Sequence, residues 1–120
     1  MDVKEIAQEL VKGCRDGKAA ENLDRLYSAN AVSVESVAMS GDGRTASGLA
    51  AIKGKHDWWD SNMETTGGSV SDPMMHGDDR FAVIFEASGK EKATGKPFSM
   101  KEVAVYHVAD GKIVREEFFY

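Results

Sequence analysis

Apolar residues recur at steps of three and four where this chain begins: Val3, Ile6, Ala7, Leu10, Val11 and Cys14. That period lays them along one face, and the spacing predicts a helix over residues 3–15. Asp2, with Glu5 three residues on, has the form of a capping box at its start. Gly17 supplies a stop, after which Ala20, Leu23, Leu26 and Tyr27 mark a second short helix that folds back on the first. From Asn30 the period changes to two. Over residues 31–37, Val32 and Val34 alternate with Ser33 and Glu35, the pattern of a half-buried strand. Residues 40–48, SGDGRTASG, form a surface loop and a candidate lid, and Met39 beside it stands with Tyr27 as a residue able to close a cavity mouth.

Beyond that loop Leu49, Ile52, His56, Trp59 and Met63 share one stripe, a third helix that Gly67-Gly68 breaks. Four β segments follow, at about residues 69–76, 80–90, 98–107 and 112–120, with turns at 77–79, 94–95 and 110–111. Pro73 lacks an N–H, so the first of them is expected at an edge or with a bulge. Helices first and hairpin-linked strands after specify an α+β architecture: one domain over residues 1–120, with three N-terminal helices packed on a strongly curved antiparallel sheet.

Asp110-Gly111 admits two turns, and the choice decides which side chains share a face. A two-residue type I′ turn sets His107 opposite Val114 and Val105 opposite Glu116. A three-residue turn, type I followed by a left-handed Gly111 as a bulge, sets Tyr106 opposite Val114. The second is preferred, because it requires positive φ only at the glycine. It groups Glu102, Ala104, Tyr106, Val114, Glu116, Phe118 and Tyr120 on one face, and Val103, Val105, His107, Ile113, Arg115, Glu117 and Phe119 on the other. Helices can cover only the inner face, so the apolar outer face suggests a homodimer.

Composition narrows the function classes. With 120 residues, 15 of them basic and 20 acidic, the chain carries a net charge of -5 and has no clustered basic face, which argues against nucleic acid as a partner. No apolar run approaches the ~20 residues a membrane helix needs. The charged N-terminus is unlike a secretion signal. The lone Cys14 excludes an internal disulfide, and a cytoplasmic protein is the expectation. SGDGRTASG lacks the residues of a phosphate-binding loop. His76, Asp78, Asp79 and His107 have no metal-ligand spacing, so neither a structural metal nor a cofactor is expected.

The candidate chemistry lies in the hairpin. If Glu102 and Glu116 share the inner face, aromatic and aliphatic neighbours desolvate both carboxyls and raise their pKa values, which is how a general acid or base is tuned. The competing reading has them pointing outward, solvating the sheet or pairing with Lys101 and Arg115. Glu35, Trp59, Tyr106, Phe118, Tyr27 and His56 are the candidate lining of the same pocket. Trp59 and His56 serve equally as core packing, and Trp58, about 100° away around the helix, falls at its edge.

Several strings carry a family resemblance: DGKIVREEFFY (110–120), KEVAVYHV (101–108), HGDDRFAVIF (76–85), HDWWD (56–60) and VSVES (32–36). Over nearly the whole chain the order of elements and these strings resemble the SnoaL-like group of the nuclear transport factor two-like superfamily. The resemblance implies a cone of helices against a curved sheet, an apolar cavity between them, and dimerisation through the outer sheet face. Relatives include steroid isomerases, epoxide hydrolases, dehydratases and polyketide cyclases, which use an Asp, Glu or His in the cavity as proton carrier. Neither the His-Asp pairing of the cyclases nor the carboxylate and Tyr set of the steroid isomerases matches here residue by residue. Two expectations stand. One is a cofactor-free acid/base enzyme of isomerase, cyclase or hydrolase type acting on an apolar metabolite, with Glu102 and Glu116 as proton carriers. The other is a non-catalytic module for hydrophobic-ligand binding or dimerisation.

Overall fold

The structure, a computed structural model, describes residues 1–38 and 43–120, so Met39 and the first part of the 40–48 loop lie outside the described residues. Helix α1 (Val3–Arg15) opens on the expected capping box: Glu5 N–H donates to Asp2 Oδ1 at 2.8 Å, and Asp2 N–H to Glu5 Oε1 at 3.4 Å. Its apolar stripe, Ile6, Ala7, Leu10 and Val11, is buried. Helix α2 (Ala19–Leu26) returns along it with Leu23 and Leu26 inward. Strand β1 (Tyr27–Val34) follows at once. It begins earlier than the alternation suggests, because Tyr27 is itself the first buried position of the strand.

The expected surface loop contains a three-residue strand, β2 (Thr45–Ser47), antiparallel to β1 with Val32 opposite Ser47. Its small residues, Thr45, Ala46 and Ser47, carry no strand pattern of their own. Helix α3 (Leu49–Asn62) ends before Met63 and passes directly into β3 (Met63–Val70). Gly67-Gly68 therefore does not end the helix but lies inside a strand, at an irregularity in its pairing with β5. A Cβ on Gly68 would meet the Glu86 carbonyl oxygen, so glycine is required by the close approach of the next strand rather than by a turn. Pro73 falls between β3 and β4 (Met74–His76), outside both ladders. The long strands β5 (Arg80–Glu91), β6 (Pro97–Ala109) and β7 (Lys112–Phe119) complete the sheet.

Among the described residues the strand order is β2-β1-β7-β6-β5-β3, with β4 also on β5. The expected all-antiparallel sheet is in fact mixed, since β1 lies parallel to β7. That pairing joins the two ends of the chain and leaves no local signal. The helices fill the concave side. Leu10, Leu23, Leu26, Ile52, Phe81, Val83, Tyr106 and Ile113 form one buried cluster, with Phe81 stacked on Tyr106 at 4.9 Å between centroids. Each such large apolar side chain contributes about 1.5–3 kcal/mol on burial.

The β6–β7 hairpin departs from the preferred register in an informative way. Ala109 pairs with Lys112, and both Asp110 (φ 52°) and Gly111 (φ 73°) are left-handed, the signature of the two-residue type I′ turn. One residue is then inserted further along β7. Val108 faces Ile113, but His107 faces Arg115, which leaves Val114 as a bulge. Tyr106 consequently stands opposite Glu116, not Val114. The bulge restores the parity that the three-residue turn was expected to supply, so Glu102, Ala104, Tyr106, Glu116 and Phe118 do share the inner face. Above the bulge the assignment reverses: Ile113 is fully buried, although it was placed outside.

Candidate functional site

Between the helices and the concave sheet lies a cavity of about 310 Å³. All eight residues singled out from the sequence line it: Glu102, Glu116, Glu35, Trp59, Tyr106, Phe118, Tyr27 and His56. Strand β6 supplies Glu102 and Tyr106, β7 supplies Glu116 and Phe118, and α3 supplies His56 and Trp59. Glu35 immediately follows β1, and Tyr27 begins it. The cavity adjoins a wider groove of about 920 Å³, which shares Cys14, Glu35, Trp59, Phe85 and Glu102 with it. Trp59 meets Phe98 edge to face at 5.4 Å and walls both spaces. Trp58, by contrast, is half exposed, as its helical offset requires.

The two hairpin glutamates occupy different environments. Glu116 is only 3% exposed. The Tyr27 hydroxyl donates to its Oε2 at 2.5 Å, and the Ser33 hydroxyl, on the neighbouring strand position, is a second side-chain partner. Burial raises its pKa, against the opposing pull of those two hydrogen bonds and of Lys55. Glu102 is less deeply set and faces both the cavity and the groove. Burial, followed by repulsion from Glu35, raises its carboxyl from 4.5 to about 7, with Lys55 pulling the other way. One carboxyl is thus held in place and satisfied, while the other is poised near neutrality beside open space.

The surrounding groups follow the same logic. Tyr27 and Tyr106 are both pushed well above the ordinary phenol value, chiefly by burial and then by the charge of Glu116. Cys14, which also lines the cavity, is raised by burial to about 11, so its thiol stays protonated. Burial lowers His56, which favours the neutral imidazole.

The sequence reading missed Lys55. Its ammonium donates to Ser33 Oγ at 2.7 Å, lies 3.5 Å from Glu35 Oε1 and sits 5.2 Å from the centroid of the Phe118 ring. The signal was present, because Lys55 is three residues after Ile52 and four before Trp59, on their stripe. A lysine at such a position is assigned by default to solvent. The lining also includes Asn22, whose amide donates to Leu10 C=O at 3.1 Å and joins α2 to α1.

The SnoaL-like domain family matches residues 1–120. Among solved structures, one of a Mesorhizobium loti protein, provisionally named a SnoaL-like polyketide cyclase with carbohydrate phosphatase in brackets, is 36% identical and superposes with a TM-score of 0.89 over 100% of both chains. A Burkholderia thailandensis NTF2-like protein shares the fold at 18% identity and TM-score 0.80, covering 99% of this chain and 90% of its own. A Catenulispora acidiphila protein with a ketosteroid isomerase-like fold, solved with trimethylamine, does so at 19% identity and TM-score 0.73, covering 97% and 85%. A search of curated proteins returned no match. With the domain matched from end to end and a relative 36% identical over its full length, the chain belongs to the SnoaL-like family.

Proposed function

We propose that this protein is a cofactor-free acid/base enzyme that moves a proton on an apolar small molecule held between the helices and the sheet, with Glu102 as the proton carrier. The observation that carries this reading is the Glu102 carboxyl, raised to about 7 at the wall of an aromatic-lined cavity. A carboxyl with that value is divided between acid and base at neutral pH, where general catalysis is most effective. Glu116 then acts through its neighbour: it accepts the Tyr27 hydroxyl and so fixes that phenol at the cavity wall.

The two activities in the name of the Mesorhizobium loti relative can be weighed against this lining. A phosphate ester would enter a cavity with Glu35, Glu102, Glu116 and Asp60 on its walls and Lys55 already paired with Glu35. Like-charge repulsion disfavours it. An uncharged, largely apolar molecule meets Trp59, Phe85 and Phe118 instead. The size, about 310 Å³, suits a bicyclic or similarly small ring system.

The test is solvent-deuterium exchange into the acidic C–H of a small panel of bicyclic ketones such as 2-tetralone. The reading expects saturable exchange whose rate rises as Glu102 ionises, and a loss of at least about 100-fold in Glu102→Gln. Binding of the panel without any exchange would instead leave a hydrophobic-ligand carrier. The apolar outer sheet face, with Val103, Val105 and a half-exposed Phe119, supports a homodimer as part of the same proposal.

A further inference from the structure

We propose that a pocket between β2 and α3, outside the cavity, is a second ligand site and that it takes a flat aromatic carboxylate. Its volume is about 650 Å³, within the range of small-molecule sites. Among the described residues it has Glu35, Lys55 and Trp59 in common with the cavity, so the Glu35–Lys55 ion pair stands at their boundary. Glu102 does not line it, and the proposal is therefore independent of the acid/base reading. On the helix side Ala51, Gly54 and Trp58 fall at steps of three and four, which gives α3 a second, exposed face beside the buried stripe of Ile52. Gly54 is the informative position. Glycine is the poorest helix former apart from proline, so one inside α3 costs stability unless something needs the space. The rest of the chain does not need it: a Cβ there would meet nothing within 4 Å, and Gly54 is not among the left-handed glycines. A ligand lying along α3 against the Trp58 ring accounts for the glycine where packing does not.

Arg44, the residue before β2, sets the charge of the ligand. Its Nε donates to Glu35 C=O at 2.9 Å, while Glu35 N–H donates to Arg44 C=O at 2.8 Å. The guanidinium is thereby anchored through Nε, and its two terminal nitrogens have no partner among the described residues. Such a fork matches a carboxylate in two parallel hydrogen bonds. Lys55 and Glu35 offset one another across 3.5 Å, which leaves Arg44 as the unbalanced charge on the pocket wall. The cavity has the opposite balance, with Glu35, Glu102, Glu116 and Asp60 against Lys55. An anion that like charges keep out of the cavity is held in the outer pocket, its carboxylate on Arg44 and its ring against Trp58, over the space that Gly54 leaves.

The experiment compares 2-naphthoate with its uncharged isostere 2-naphthamide, both titrated calorimetrically into the whole chain at about pH 8, where the naphthoate is fully ionised. The wild type should hold naphthoate at least about tenfold more tightly than the amide, and Arg44→Gln should abolish that preference while leaving naphthamide affinity within about twofold. Gly54→Leu should fill the pocket and weaken naphthoate at least about tenfold. Arg44 and Gly54 line this pocket and neither the cavity nor the wider groove, so the two variants locate the bound probe. Gly54→Ala supplies a readout without any ligand: its urea midpoint should rise, because alanine replaces glycine in a helix and its methyl meets open space. Naphthoate that fails to bind, that binds no better than the amide, or that keeps its affinity in either Arg44→Gln or Gly54→Leu overturns the assignment. A lowered urea midpoint in Gly54→Ala also overturns it, since the fold itself would then require the glycine.

Discussion

The Tyr27 hydroxyl donates to Glu116 Oε2 across 2.5 Å, joining the residue at which α2 becomes β1 to the middle of the last strand, 89 positions later. The contact fastens the two ends of the chain under the cavity and supplies a donor to a carboxyl that water does not reach. Tyr27→Phe should destabilise the fold by about 1–3 kcal/mol, because the carboxyl stays buried and loses that donor. It should also raise the Glu116 pKa further, since the hydrogen bond lowers it. Urea unfolding and a carboxyl titration check the two halves.

The raised Glu102 carboxyl couples stability to pH. The folded protein holds this proton up to about 7, whereas the unfolded chain releases it near the ordinary carboxyl value of 4.5. The folded state therefore binds more protons between those values, and its contribution to stability falls as pH rises through that interval and levels off above it. Glu102→Gln should remove this part of the decline. The variant should match the wild type in urea midpoint near about pH 4 and exceed it near about pH 8, with a remaining slope from Glu116, which is shifted in the same direction.

The turn makes its own prediction. With positive φ at both Asp110 and Gly111, Asp110→Ala and Gly111→Ala should each cost about 1–2 kcal/mol. Asp110→Asn should be neutral or stabilising, because asparagine is favoured at that position of a type I′ turn. Had the loop been three residues long, only the glycine substitution would be costly. Denaturant midpoints for the three variants distinguish the cases.

The outer sheet face tests the proposed assembly. Val105→Lys places a charge among Val103, Phe119 and the Glu117–Arg115 ion pair without entering the cavity. Light scattering should report a dimer for the wild type and a monomer for the variant, both with the same cavity affinity for 2-tetralone. A monomeric wild type refutes the proposal.

Much of this architecture could be read from local periods. The stripe of α1 and its Asp2-Glu5 cap are short-range features, and the structure contains both. The inner-face set of Glu102, Tyr106, Glu116 and Phe118 was legible for a subtler reason. An odd residue in the turn and an odd residue at Val114 restore the same parity, so the faces agree although the pairing differs by two positions and Ile113 changes sides. Non-local pairings left no trace. Strand β1 meets β7 across most of the chain, and β2 is three small residues, Thr45, Ala46 and Ser47, that gain their conformation from β1. Lys55 escaped because its charge outweighed its place on the stripe, and it is partners distant in sequence, Glu35, Ser33 and Phe118, that hold a lysine at the cavity wall.

The central claim is that one cavity carboxyl exchanges its proton near neutrality. Carbon-13 NMR of glutamate-labelled protein, with Glu102→Gln to assign the resonance, measures this directly. The account predicts a Glu102 midpoint of about 7, shifting when 2-tetralone fills the cavity. A midpoint near the ordinary ~4.3 that ignores the ligand contradicts it.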